Sequence, residues 1–230
     1  MRVKGIYLVL ILISRLVSAQ VQEFKKYHSI PEEEIVLNIQ YNSFIDLPDK
    51  MEMKPQSAGF DFYLMYPLVG KNYPLSLAAG MGFSVQNYKN NCYIIDTKDS
   101  LQFIKIPDTV NFRKNKFSTV YFDIPVEFRL RSRPLVKKRN VKIAFGFKIG
   151  YNIQKYTKYE GDDFYNLSGH DKIKFKRYKL NHFLPYRYGI FIRTGYGKFS
   201  ATAYYSLTSI LENDIRTLTP FSLGFSITLF

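Results

Sequence analysis

Apolar side chains occupy every odd position of the stretch Val141–Ile153, and polar or small side chains occupy the even positions. Successive side chains of a strand point to opposite faces of a sheet. This period of two therefore predicts one long β-strand with an apolar face and a slim polar face. A strand that crosses a bilayer at a tilt needs about 9–11 residues, whereas strands of soluble proteins most often have about 5–6. The length of this stretch favours a membrane-spanning strand.

The same alternation recurs along the chain and predicts eight strands, of which Val141–Ile153 is the fifth. The other seven are Ile35–Tyr41, Gly59–Tyr66, Leu75–Val85, Thr119–Leu130, Tyr186–Tyr196, Phe199–Leu211 and Thr219–Phe230. Pro125 lies inside the fourth strand, where it predicts a bulge or a missing ladder bond.

The connections between these strands differ in length on the two sides of the predicted sheet. Two long charged segments, Asn87–Lys116 and Gln154–Asn181, follow the third and fifth strands and are interpreted as loops, the first with a small hairpin at Leu101–Ile106. The connections after the second, fourth and sixth strands are short. Short turns on one side and long loops on the other are typical of outer-membrane barrels. The pattern predicts an all-β fold, an eight-stranded antiparallel up-and-down transmembrane β-barrel over residues 35–230.

The N-terminal stretch has the features of a secretory signal peptide. Arg2 and Lys4 precede an apolar run that is too short for a membrane helix, and small residues follow at Ser18 and Ala19. We therefore expect a signal peptide over residues 1–19 and a polar periplasmic lead-in over residues 20–34. The localisation that follows is the cell outer membrane, with the long loops extracellular and the termini periplasmic.

The alternation alone leaves two barrels open, and they are inside-out versions of each other. One is a membrane barrel with its apolar face in lipid; the other is a soluble periplasmic lipocalin-like barrel that carries an apolar ligand. The polar face is rich in Gly, Ala and Ser, which suits a narrow lumen, and Phe and Tyr make up 17% of the chain. Aromatic residues near strand ends are typical of membrane interfaces. We prefer the membrane barrel.

Charged residues on the polar face would then point into the lumen of the barrel. An eight-stranded barrel is only wide enough to be filled by its own side chains. Charges in so narrow a space must be paired and hydrogen-bonded. We expect a salt-bridge network that plugs the lumen, formed by Asp61, Asp123, Glu127, Lys142, Lys148, Arg187 and Arg193.

The chain carries a formal net charge of +14, and removing the three cations of the predicted signal peptide leaves +11. The basic residues fall between strands rather than on one helix or stripe, and an exported protein rarely meets nucleic acid, so we expect no nucleic-acid partner. Anionic lipid and lipopolysaccharide are the expected counter-charges. A basic and aromatic strip in the second long loop is a candidate surface for lipopolysaccharide or a partner protein: Lys172, Lys174, Phe175, Lys176, Arg177, Tyr178 and Lys179.

The sequence offers little catalytic chemistry. Ser168, His170 and Asp171 lie together, but residues so close in sequence on one loop cannot easily form a catalytic relay. His28 and His182 are isolated, no metal-ligand spacing occurs, and the single cysteine, Cys92, excludes an intramolecular disulfide. We therefore expect neither enzymatic activity nor a cofactor.

Several short stretches resemble the PorT-like outer-membrane β-barrel family. They are Ser18-Ala19-Gln20, Tyr121–Val126, Ala144–Tyr151, Gly195-Tyr196-Gly197 and Tyr204–Leu211. The resemblance implies an outer-membrane barrel with a role accessory to protein export through the type IX secretion system. In that role the barrel would contact secretion-system proteins.

Overall fold

A computed structural model describes residues 34–48, 51–70, 73–98, 100–132, 140–163, 171–178, 180–212 and 217–229. The predicted signal peptide and nearly all of the predicted lead-in lie outside these residues, as does Phe230, the last residue of the predicted eighth strand. Eleven strands are present in the described part of the chain. They are β1 (Glu34–Phe44), β2 (Ala58–Val69), β3 (Leu75–Lys89), β4 (Cys92–Asp96), β5 (Leu101–Lys105), β6 (Phe112–Arg131), β7 (Val141–Asp162), β8 (Lys172–Arg177), β9 (Tyr186–Tyr196), β10 (Phe199–Ser206) and β11 (Pro220–Leu229).

Eight of these strands close into an antiparallel barrel. The order around the barrel is β6-β3-β2-β1-β11-β10-β9-β7, and pairing of β6 with β7 completes the circle. Neighbours along the chain pair throughout, apart from the first and last strands, which meet through Ile35↔Leu229 to Phe44↔Pro220. The prediction of an eight-stranded antiparallel up-and-down barrel is confirmed.

The short connections lie at one end of the barrel, here named the turn end, together with the start of β1 and the end of β11. Gly197 adopts φ 58° in the β9–β10 turn, a left-handed conformation that a side chain would strain. The four longer connections, 45–57, 90–111, 163–185 and 207–219, lie at the opposite end, named the loop end. The described residues contain no helix with the length and apolar character of a membrane span.

Strands β6 and β7 continue well beyond the predicted strands, and this corrects the interpretation of both long charged segments as loops. The β6–β7 register shifts between Val120↔Gln154 and Tyr121↔Asn152, which leaves Ile153 as a bulge. Beyond the bulge, β7 pairs with β6 on one side and with β8 on the other. A three-stranded extension therefore rises from the barrel wall at the loop end. The predicted small hairpin also exists, as β4 paired with β5.

Pro125 keeps its register with Lys148 of β7, so the predicted bulge is absent at this position. On its other side, the β3–β6 register passes from Ala79↔Val126 directly to Gly82↔Asp123. Proline has no N–H to donate, and the ladder is interrupted at this point.

The apolar rows of the barrel strands face outward. Exposed fractions reach 64% for Ile39 and 75% for Phe225, and the apolar residues at the odd positions of Val141–Ile153 are all exposed. Most inward positions are instead small, polar or charged, as at Asp61 and Asp123, and a small apolar group of Val36, Met65 and Ala78 lies among them. An exposed apolar surface of this extent requires a non-aqueous surrounding. This arrangement is that of the membrane barrel and the reverse of a lipocalin-like carrier.

Candidate functional site: the charged lumen and the loop-end cap

The predicted lumen residues lie inside the barrel in two clusters, one above the other. The upper cluster, nearer the loop end, contains Asp61 on β2, Asp123 on β6, Lys148 on β7 and Arg187 on β9. The side chains of all four are at most 4% exposed. Gly150 makes room for them, since a Cβ at this position would overlap Asp123 Oδ1.

Asp123 is the centre of the upper cluster. Arg187 donates to Asp123 through Nη2 at 2.7 Å and through Nε at 3.3 Å. The Tyr63 hydroxyl donates to Asp123 Oδ2 at 2.8 Å, and Lys148 Nζ lies 3.8 Å from the same oxygen. Lys148 also lies 3.8 Å from Asp61 Oδ2, so one ammonium group bridges two carboxylates.

Uncharged side chains also contact the charges of the upper cluster. Asn38 and Gln40 each donate to Asp61 at 3.1 Å, and Ser84 donates to it as well. The Arg187 guanidinium lies 3.9 Å from the ring centroid of Tyr121, and Lys148 Nζ lies 4.1 Å from that of Tyr204. Hydrogen bonds and aromatic faces therefore surround most of the buried charge, although Arg187 Nη1 has no hydrogen-bond partner in the described residues.

The lower cluster, at the turn end, is centred on Glu127. Arg193 Nη2 donates to both oxygens of Glu127, at 2.7 and 2.9 Å, and Arg129 donates to it through Nε. Arg129 also pairs with Glu34, which accepts a 2.8 Å hydrogen bond from Arg131. Lys142 lies at this end but makes a different contact, since its Nζ donates to Thr228 Oγ1 at 3.0 Å.

The structure thus brings together six of the seven predicted lumen residues in ion pairs, and it adds partners that the sequence analysis did not include. Arg129 shares the parity of Asp123 and Glu127 along β6, and Tyr63 shares that of Asp61 along β2, so parity could have identified both. Glu34 precedes the predicted first strand, and no signal in the sequence pointed to its pairing.

Free space in the lumen is small. A cavity of about 20 Å³ lies between the two clusters, lined by residues that include Tyr63, Glu127, Lys148 and Arg193. A single water needs about 10–15 Å³ of such space. The cavity can therefore hold about one water and cannot pass a solute.

An apolar cap closes the loop end of the barrel. Four stacked or nearly parallel rings cross the mouth: the Phe44–Tyr88, Tyr88–Phe117 and Phe117–Phe183 centroids are 4.3, 5.9 and 4.7 Å apart. The rest of the cap is buried around these rings and consists of Met51, Cys92, Ile94, Leu180, Ile210, Leu211 and Leu218. Burial raises the pKa of the Cys92 thiol. The cap was not predicted from the sequence, because its residues are scattered without a period through the segments that were predicted to be charged loops or to border them.

The cap is fastened by polar contacts between loops. His182 Nδ1 lies 2.8 Å from Asp96 Oδ1, and Asp96 Oδ2 accepts a 2.7 Å hydrogen bond from the backbone N–H of Asn181. His182, isolated in sequence, is therefore paired in space with the β4–β5 hairpin. Leu184 N–H donates to Ile210 O at 3.1 Å, which joins the third long connection to the fourth.

The residues of the predicted basic and aromatic strip divide between the two faces of β8. Lys172, Lys174 and Lys176 are exposed on the outer face, whereas Phe175 packs against Tyr93 and Tyr159. Arg177 is half-buried on the inner side, Tyr178 is exposed, and Lys179 lies outside the described residues.

Chemistry of other kinds is not evident in the described residues. Ser168 and His170 lie outside them, and Asp171 is exposed. Among the described residues, no group of three or more His, Cys, Asp or Glu side chains is placed to hold a metal ion.

Comparison with known proteins gives one match. A family model described as outer membrane protein beta-barrel domain matches residues 37–212, which include β1 from Leu37 onward, six further barrel strands, and both clusters apart from Glu34. None of the curated proteins and none of the solved structures compared with the chain matches it. The closed barrel, the outward apolar rows and this match agree, and the chain belongs to the outer membrane protein beta-barrel domain family, as an integral outer-membrane barrel protein.

Proposed function

We propose that this protein is a sealed, non-catalytic outer-membrane barrel whose role is structural or depends on contacts with partner proteins. The observation that carries the proposal is a double closure of the lumen. The Asp123 and Glu127 clusters fill the barrel, and the Phe44–Tyr88–Phe117–Phe183 stack closes its loop end. A barrel closed twice offers no path for a solute.

We further propose that the loop end is extracellular and the turn end, with both termini, is periplasmic. This follows the usual division of outer-membrane barrels into short periplasmic turns and longer outer loops. An epitope inserted at Asp108, whose side chain is 90% exposed at the loop end, should bind antibody on intact cells. The same epitope at Lys198 in the β9–β10 turn should bind only after the outer membrane is permeabilised; the opposite pattern would invert the orientation.

The partner class is proposed from resemblance. The PorT-like stretches favour an accessory role in type IX protein export, with secretion-system proteins as partners. This proposal concerns surfaces outside the barrel, because the lumen has no room for an exported chain. The fold alone does not imply it, since one fold can support many functions.

Conductance in planar bilayers tests the sealed barrel. The wild-type protein should give no stepwise current, while a general porin in the same bilayer should. Tyr63→Ala with Lys148→Ala removes two lumen side chains and serves as the comparison for a partly opened barrel. Regular conductance steps from the wild-type protein would refute the proposal.

Co-purification tests the partner class separately. The tagged protein, extracted from native membranes in mild detergent, should carry secretion-system proteins in constant ratio. A barrel recovered alone after cross-linking would contradict the export role and leave the structural role standing.

A further inference from the structure

The outer face of the three-stranded extension carries three lysines side by side. Lys116 of β6 is opposite Lys158 of β7, and Lys158 is opposite Lys176 of β8. Adjacent strands are about 4.8 Å apart, and like charges at directly opposed positions destabilise a sheet. These three residues, named the lysine row, therefore place an unfavourable concentration of positive charge on one strip of wall.

The next row along the same face is built differently. Lys114, Glu160 and Lys174 are opposed in the same way, and Glu160 pairs with Lys114 at 3.8 Å as well as with Arg113. The lysine row has no such carboxylate: none of the described acids lies within ion-pair distance of its three ammonium groups. Its charge is not balanced from within the described part of the chain.

Two tyrosines contact two members of the lysine row, Lys116 and Lys176, from the barrel side. Lys176 Nζ lies 3.7 Å from the ring centroid of Tyr156 and 4.6 Å from that of Tyr178. Lys116 Nζ lies 5.8 Å from the Tyr156 centroid and donates to Asn87 Oδ1 at 2.6 Å. Two ammonium groups thus converge on one ring, which fixes their positions and makes a prepared cationic surface.

The outward apolar rows of the barrel strands form a lipid-facing belt, and the lysine row lies just beyond the end of this belt that is nearer the loop end. Phe122 and Tyr151 are opposed at the upper part of the belt, and Val120 follows on β6. The four residues from Val120 to Lys116 span roughly 13 Å along the strand, and a strand tilt of 35–45° reduces this to a height of about 10 Å. Lysine side chains at this height reach the headgroup layer, so their natural counter-ion is a headgroup phosphate.

We infer that Lys116, Lys158 and Lys176, with Tyr156 and Tyr178, form a binding site for the phosphate of a phosphorylated outer-membrane lipid. The unbalanced charge of the three lysines, the positions of Lys116 and Lys176 against the tyrosine rings, and the height above the belt together indicate the ligand chemistry: a phosphate monoester attached to an acyl chain that lies along the barrel wall. The inference requires membrane insertion but neither a sealed lumen nor a role in export.

A second use of the same surface is strand addition at β8, whose edge away from β7 is not paired among the described residues. Exposed lysines at Lys172, Lys174 and Lys176 oppose such pairing, because lysine on an edge strand is a common device against it. The exposed lysines of β8 therefore favour a lipid phosphate over an added protein strand as the ligand of this surface.

The test uses the full-length protein in nanodiscs of phosphatidylcholine containing a minor fraction of phosphatidate, a lipid with a phosphate monoester. The row variant carries K116Q, K158Q and K176Q. The control variant carries K98Q, K105Q and K198Q, which remove the same charge from exposed positions elsewhere. Native mass spectrometry after detergent extraction measures the retained phosphatidate, and heat-modified gel mobility verifies folding.

Wild type and control should retain phosphatidate over phosphatidylcholine, and the row variant should retain at least about tenfold less, since each lysine near an anionic surface contributes about fivefold in affinity. Equal retention by the row variant would overturn the inference. If the triple variant fails to fold, the single K158Q variant, at the centre of the row, must show the loss. Displacement of phosphatidate by inorganic phosphate would overturn the lipid as the source, and conductance by the wild type would refute the sealed barrel without affecting this site.

Discussion

Asp123 provides the sharpest test of the charged lumen. Asp123→Asn keeps the shape of the side chain but removes the charge that faces Arg187 and Lys148 and replaces one acceptor oxygen by an NH2 donor. Asp123 is fully buried, and Arg187 and Lys148 are 4% and 3% exposed at their side chains, so solvent cannot replace the lost partner. Removing one member of a buried pair costs about 3–5 kcal/mol. This loss is a large share of the roughly 5–15 kcal/mol that stabilises a typical folded domain.

The assay is equilibrium unfolding in urea from lipid vesicles, followed by tyrosine fluorescence and by heat-modified gel mobility. A matched double variant, Asp123→Val with Arg187→Met, removes both charges and introduces apolar side chains close in size to the originals. It should recover most of the lost stability, because replacing a whole buried pair by apolar side chains is often neutral. An Asp123→Asn barrel within about 0.5 kcal/mol of wild type, or a double variant as unstable as the single one, would refute the reasoning.

Three further perturbations follow from the same geometry. Glu127→Ala should lower the free energy of unfolding by about 3–5 kcal/mol, because Arg193 would lose its carboxylate; unchanged gel mobility and melting would contradict the lower cluster. Gly150→Val should destabilise the barrel by more than about 1–3 kcal/mol, measured by the same unfolding, since its side chain would displace Asp123. Cys92 is the single cysteine, 1% exposed with a raised thiol pKa, so a maleimide at pH 7 should label folded protein at least tenfold more slowly than urea-unfolded protein; equal rates would contradict the buried cap.

The alternation of side chains predicted the eight barrel strands because each strand is bounded by two different solvents. Lipid requires the outer rows of residues such as Phe145 and Phe147 to be apolar, and the crowded lumen requires the inner rows to be small or polar. Because successive side chains point to opposite faces, these two requirements produce a period of two in the sequence. The same parity placed Asp123, Glu127 and Arg193 on the inner face, where they lie.

The extension of β6 and β7 could not be predicted by the same means. The bulge at Ile153 inserts one residue, so inward positions change from even to odd numbers beyond it and the period of two is broken. Above the belt the outer face also meets water, where Lys158 and Glu160 are as suitable as apolar residues. With both signals lost, Gln154–Asp162 has the composition of a loop although it forms a strand.

The apolar cap could not be predicted because its contacts are between segments distant in sequence. Phe44, Cys92, Phe183 and Leu218 each stand in a different part of the chain, and each alone is an ordinary hydrophobic residue. Only closure of the barrel brings them together. Hydrophobic periodicity describes single segments and contains no information on contacts between segments that are distant in sequence.

The cap includes residues next to both the first and the last strand, and this affects where the barrel can open. Phe44 ends β1 and Leu218 precedes β11, so the first and last strands are fastened above their shared ladder as well as along it. Parting these two strands to release a molecule sideways into the bilayer would expose stacked rings to water at the same moment. Separation of β1 from β11 is therefore opposed by the cap as well as by the ladder. Release of a molecule into the bilayer would have to occur between other strands of the barrel.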